Sequence, residues 1–153
     1  MPLDVNKPTD QELVAELPSY IREDRVAINA VSGAGNVGTT DLTVAAGTTS
    51  LVVGTDLGVY GLEIVKITGG AAVTLLTITG GTEGQAKIFI FQDALITLTD
   101  GAKADGKFYL NQLPALSNFS PQQDDVLVLA NIGGDGASVH GYWKELYRTI
   151  SVK

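Results

Sequence analysis

The chain has 153 residues, of which 44% are hydrophobic and 18% charged, with 18 glycines, five prolines and no cysteine. Its length and apolar content predict one β-domain with a real core plus an appendage and exclude a disordered chain, while the missing cysteine excludes disulfides, a thiolate nucleophile and Cys-ligated zinc. A formal charge of −7, with ten basic residues scattered along the sequence, argues against a nucleic-acid partner.

Residues 1–32 differ in composition from the rest of the chain. The first thirty hold no glycine and six acids, Asp4, Asp10, Glu12, Glu16, Glu23 and Asp24. Thr9-Asp10-Gln11-Glu12 reads as a capping box, in which the Thr9 hydroxyl and the Glu12 carboxylate satisfy free backbone donors at a helix start. The spacing predicts a short helix from Asp10 to Leu17. Pro18 interrupts it, and Ser19 caps a second helix that runs through Ile21, Arg25 and Ile28. Leu13, Val14, Leu17, Tyr20 and Ile21 recur at helical spacing and form a narrow apolar stripe that needs a partner. Met1 to Gln11 lacks the apolar run of a signal peptide, and no window reaches the roughly 20 apolar residues that span a bilayer. The expectation is a soluble chain with no membrane partner.

Residues 33–40 read as a Gly-rich linker, and residues 41–153 as the β-domain. Gly33-Ala34-Gly35-Asn36-Val37-Gly38 matches the G-x-G-x-x-G pattern of dinucleotide sites. It follows a helix and precedes a strand, whereas a pyrophosphate site needs the opposite order, so it is taken as linker and no cofactor is assigned. Strand-like runs then appear at Asp41–Ala46, Ser50–Val53, Val59–Ile67, Ala72–Ile78, Ala86–Phe91, Ala94–Leu98, Lys107–Leu110, Asp125–Ala130 and His140–Ser151. Gly-Gly, Asp-Gly and Pro-containing turns separate them. The fold class expected is mainly β, a β-sandwich or jelly-roll-like domain with a short helical N-terminal appendage. Ile67-Thr68-Gly69-Gly70 and Ile78-Thr79-Gly80-Gly81, eleven residues apart, read as successive hairpin turns.

In Lys87–Phe91, Ile88 and Ile90 face one side while Phe89 and Phe91 face the other. A strand apolar on both faces is covered twice, within a sandwich or between subunits. In Tyr142–Arg148, strict alternation puts Tyr142, Lys144, Leu146 and Arg148 on one face and Trp143, Glu145 and Tyr147 on the other. A sugar-stacking platform is one reading of these aromatics. Closure of a subunit interface is the favoured one, because Trp and Tyr dominate such contacts. The interface residues expected are therefore Ile88, Phe89, Ile90, Phe91, Trp143 and Tyr147.

Catalytic and metal chemistry find little support. His140 is the single histidine, and Asp135 and Ser138 share its loop, whereas triads are assembled from distant segments; Ser138 also lacks a nucleophile-elbow setting. Asp124-Asp125 lacks the spacing of a calcium loop. Paired carboxylates for glycoside hydrolysis are poorly placed, since most of the acids lie in the N-terminal segment or at turns such as Asp100-Gly101 and Asp105-Gly106. No catalytic residue, metal or cofactor is assigned, and the chain is read as not an enzyme.

Two stretches resemble bacteriophage virion proteins of the capsid-decoration, head-fibre and trimeric tail-fibre kind. Leu3-Asp4-Val5-Asn6-Lys7-Pro8-Thr9-Asp10-Gln11 with Glu16-Leu17-Pro18-Ser19-Tyr20-Ile21-Arg22 is similar to the attachment segment that opens many of them. Thr79-Gly80-Gly81-Thr82-Glu83-Gly84-Gln85, Ile96-Thr97-Leu98, Asp125-Val126-Leu127-Val128-Leu129 and Trp143-Lys144-Glu145-Leu146-Tyr147-Arg148 are similar in order to a C-terminal β-module, with a G-x-x-G-Q turn, a D-x-L-x-L strand and a closing W-x-E-x-x-R strand. Element by element, the resemblance covers about two-thirds of the chain. It implies a homotrimer in the virion, made in the host cytoplasm. Its N-terminal stripe would sit on the major capsid protein or another virion protein, and the bound oligomer would stabilise the capsid. The alternative is a tail-fibre or receptor-binding module that recognises host surface glycan.

Overall fold

The computed structural model describes residues 37–110 and 118–149, within a unit that begins at Asn36. The two expected helices, and with them Leu13, Val14, Leu17, Tyr20 and Ile21, lie outside the described residues. Ten strands are present among the described residues: β1 (Val37–Val44), β2 (Ser50–Val52), β3 (Leu62–Gly69), β4 (Val73–Leu75), β5 (Thr77–Thr79), β6 (Ala86–Phe91), β7 (Ile96–Leu98), β8 (Phe108–Tyr109), β9 (Val126–Ile132) and β10 (Tyr142–Arg148). The mainly β class holds. The first ladder residue is Val37, so Val37–Thr40 of the expected linker are strand.

The pairing departs from a hairpin-built sandwich or jelly roll. β1, β3 and β6 pair in parallel, with Leu62 opposite Val37 and Ala86 opposite Leu62. The chain thus advances 25 and then 24 residues before it returns to the neighbouring position. β2 pairs in parallel with β5, and β4 with β7. Parallel partners cannot be joined by a tight hairpin; they need a crossover of a dozen or more residues. Here each crossover is the remainder of a coil. The glycine pairs read as hairpin turns are therefore coil corners: Gly70 N–H donates to Val44 O at 2.8 Å, joining one coil to the next. At the second corner Gly80 has φ +76°, and a Cβ there would lie 3.1 Å from Val53 O, so the turn and the close approach both call for glycine.

Like positions of successive coils stack. Across β1, β3 and β6 the inward rows are Thr40–Val65–Phe89 and Leu42–Ile67–Phe91, and the shorter pairs add Leu51 beside Ile78 and Leu75 beside Leu98. Apart from Thr40, and with Leu42 packed against it, these residues join Leu127, Leu129 and Trp143 in one core. Each large side chain removed from water there contributes about 1.5–3 kcal/mol.

Antiparallel pairing closes the stack. The main sheet runs β1-β3-β6-β9-β10-β8, with β9 antiparallel to both β6 and β10 and β8 parallel to β10. A β-bulge falls between Glu145 and Tyr147, so that Glu145 faces Leu129 and Tyr147 faces Val128. The extra residue, Leu146, breaks the strict alternation. Tyr147 turns outward, opposite to the face expected of it, and Arg148 comes round to the Glu145 side.

Candidate functional site

The outer face of the main sheet is the surface these strands leave half-exposed. Its central row is Ile64, Ile88, Val128 and Tyr147, neighbours across β3, β6, β9 and β10. Leu62, Ile90 and Val126 flank it and are likewise only partly buried. On β10, Leu146 is 57% and Tyr147 58% exposed. Contiguous apolar surface of this kind, rimmed by the polar Lys66 and Lys144, is what interaction sites display.

The expected interface residues divide between the two faces. Ile88, Ile90 and Tyr147 lie on the outer face. Phe89, Phe91 and Trp143 do not: they are 2%, 1% and 0% exposed and belong to the core of this chain, out of reach of a second subunit. The reason is the coil. β6 has another strand on each side and a filled interior behind it, so its aromatic face is spent within the chain itself.

The motif residues are pins that hold the sheet closed. In the G-x-x-G-Q turn, Gln85 Oε1 accepts from Thr82 N–H at 2.8 Å and Gln85 Nε2 donates to Val59 O at 3.3 Å, while Gly84 takes φ +86°. Gly81 sits where a Cβ would meet Asn131 Nδ2 at 2.4 Å and the Trp143 ring at 2.7 Å. In the D-x-L-x-L strand, Asp125 Oδ2 accepts from Gln122 N–H at 2.7 Å, and Leu127 and Leu129 are core. In the closing strand, the buried Trp143 indole donates to Ile78 O at 3.0 Å. Glu145 receives both Nε and Nη2 of Arg148, whose guanidinium lies 4.3 Å from the Phe119 ring centroid. The bonds from Gln85 to Val59 and from Trp143 to Ile78 tie segments far apart in sequence, as a small β-module without disulfides requires.

A buried ion pair went unnoticed in the sequence. Glu63 and Lys87 occupy matched positions of successive coils, with Nζ and Oε2 2.5 Å apart and both side chains fully buried. Lys87 also donates to Gly58 O at 2.7 Å. Glu63 Oε1 accepts from the Thr40 hydroxyl and from Gly58 N–H. Burial holds Lys87 below the ordinary lysine range, opposed by the hydrogen bond and charge of Glu63. The pair underlies an open hollow of about 410 Å³ lined by Thr40 and residues 54–60. Tyr60 lies across it, and a Cβ on Gly38 would fall 2.1 Å from that ring. This contact explains the last glycine of the G-x-G-x-x-G match without a phosphate.

Asp135, Ser138 and His140 are not arranged as a triad. Asp135 Oδ1 accepts from the N–H groups of Ala137, Ser138 and Val139, bonds led by Val139 that hold its carboxyl below the usual range. His140 Nδ1 accepts from Gly80 N–H at 2.9 Å. The loop is fastened to the coil through Asn131, which donates to His140 O at 2.7 Å. Set against protein-family models, curated proteins and solved structures, the chain matches none.

Proposed function

We propose that the chain is a bacteriophage structural protein, a capsid decoration, cement or head-fibre protein that binds the capsid surface as a homo-oligomer, in the simplest case a trimer, and stabilises it. The observation that carries this reading is the half-exposed aliphatic face centred on Ile64, Ile88 and Val128. A protein without disulfides gains by covering such a face with further copies of itself, and closed symmetry uses the same patch on every copy. The N-terminal stripe of Leu13, Val14, Leu17, Tyr20 and Ile21 supplies the contact to the major capsid protein or another virion protein. Binding only to the assembled shell then shifts the shell's equilibrium towards the intact state.

Gradient-purified particles of the phage that encodes the chain, quantified by mass spectrometry, are expected to carry it at a fixed copy number per capsid. Its absence from such particles contradicts the proposal. A second reading, a tail-fibre or receptor-binding module for host surface glycan, is favoured by one observation: Tyr109 and Tyr142 stand partly exposed and edge to face on the outer side of the sheet, with centroids 6.0 Å apart.

A further inference from the structure

Three of the basic residues that look scattered in sequence gather in space. Of the five lysines among the described residues, Lys87 is buried, and three of the other four, Lys103, Lys107 and Lys144, surround Tyr109 and Tyr142. The register brings them there. Trp143 lies opposite Phe108 and Lys144 opposite Tyr109, in parallel, and Trp143 N–H donates to Lys107 O at 2.8 Å. Phe108 and Trp143 point into the core. Lys107 and Tyr109 on one strand, and Tyr142 and Lys144 on the other, therefore share the outer face, because neighbours in a strand alternate. The result is a two-by-two block in which each tyrosine is beside a lysine. Lys103 Nζ is 5.1 Å from the Tyr109 ring centroid, and the two tyrosine rings meet at 82°.

The acids near this block are engaged elsewhere. Asp105, the acid of the 101–110 segment, accepts from His140 N–H at 2.6 Å. Asp100 accepts from Leu110 N–H at 2.8 Å and is 8% exposed. Glu145 is on the inner side with Arg148. Set against the one half-exposed carboxylate of Asp105, the three lysines leave this block locally positive on a chain of net charge −7.

We propose that this Lys103, Lys107, Tyr109, Tyr142 and Lys144 block binds an anionic saccharide of the uronic-acid class. Three lysines on one flat patch select a ligand whose negative charges are spaced along it. The tyrosines add apolar ring surface and hydroxyls that suit a pyranose carrying one carboxylate, since aromatic groups join an apolar body to a polar tip. The net charge of the chain repels every long polyanion alike, so a short oligomer is the expected ligand, and the tyrosine rings and hydroxyls favour a pyranose over a phosphate strand. This inference rests on the receptor-binding reading and is independent of capsid attachment, which is measured separately by binding to capsids.

The test uses the full chain and polygalacturonate oligomers, with fully methyl-esterified oligomers and oligo-thymidylate as controls, by calorimetric titration at low and high salt. Expected is binding to polygalacturonate that weakens with salt, binding at least several-fold weaker to the neutral ester, and none to the oligonucleotide. Lys103→Gln with Lys144→Gln is expected to weaken it about fivefold to tenfold at low salt, with the melting temperature unchanged. Tyr109→Leu is expected to weaken it at high salt as well. No binding by the native chain, equal binding by the double variant, or preference for the oligonucleotide overturns the assignment. Because the double variant changes only exposed lysines, a lost signal with unaltered melting is not a folding defect.

Discussion

Replacing Lys87 by methionine tests the coil stack at its most polar point. The side chain keeps its length but loses two hydrogen bonds, to Glu63 Oε2 at 2.5 Å and to Gly58 O at 2.7 Å. Glu63 is left fully buried, with donors from Thr40 and Gly58 on Oε1 and its charge uncompensated. Breaking a buried pair from one side costs about 3–5 kcal/mol, a large part of the roughly 5–15 kcal/mol by which domains are stable. With a urea slope of about 1–3 kcal/mol per molar, the unfolding midpoint is expected to fall by more than about 1 M. Adding Glu63→Gln keeps an acceptor for Thr40 and Gly58 and removes the stranded charge. The double variant should therefore be more stable than Lys87→Met alone, with a coupling of about 2 kcal/mol. A single-variant cost below about 1 kcal/mol, or strictly additive costs, refutes the view that the pair is buried and mutually dependent.

Three other outcomes are expected from the same contacts. Burial lowers the Lys87 pKa from its unfolded value of 10.5 although Glu63 opposes the shift, so the unfolded chain holds this proton longer and the stability linked to it rises as pH climbs from the lowered pKa to 10.5; urea midpoints across alkaline pH should show this rise in the native chain and lose it in Lys87→Met. Gly81→Ala drives a methyl into Asn131 and Trp143 and should cost about 1–3 kcal/mol by chemical denaturation, with an unchanged midpoint counting against the packing described. Ile88→Asp with Ile90→Asp places charge on the half-exposed outer face and should shift the protein to a smaller species in sedimentation velocity while the β circular-dichroism signal is retained; an unchanged sedimentation coefficient rules that face out as the site of self-association.

Strand positions were largely legible because short runs of β-branched and aromatic residues lie between turn residues. Their partners were not. Gly69-Gly70 and Gly80-Gly81 obey the rules of tight turns whether the chain doubles back as a hairpin or rounds the corner of a coil, and only long-range pairing separates the two. The coil repeat was hidden because its length drifts: Val37 pairs with Leu62, Ser50 with Thr77 and Val73 with Ile96, offsets of 25, 27 and 23 residues. For the same reason Glu63 and Lys87, 24 residues apart, gave no sign of contact. The faces of β10 were misassigned by a single residue, since a bulge at Leu146 leaves no local mark and inverts everything after it. Lys103, Lys107 and Lys144 were read as dispersed charge, and only the parallel pairing of the two-residue β8 with β10 brings them together. Ile88 and Ile90 are as apolar in sequence as Phe89 and Phe91. Whether their side or that of Phe89 and Phe91 faces the core depends on which side the coil closes, and periodicity carries no information on that.

The most direct measurement of the proposed role mixes the purified chain with capsids of the encoding phage assembled without it, then tracks co-sedimentation and heat-induced disruption. Binding at a defined ratio, with a higher disruption temperature, and loss of both in Leu13→Asp with Leu17→Asp, is the expected result. A stable oligomer that leaves the capsids unbound and their disruption temperature unchanged contradicts the decoration role.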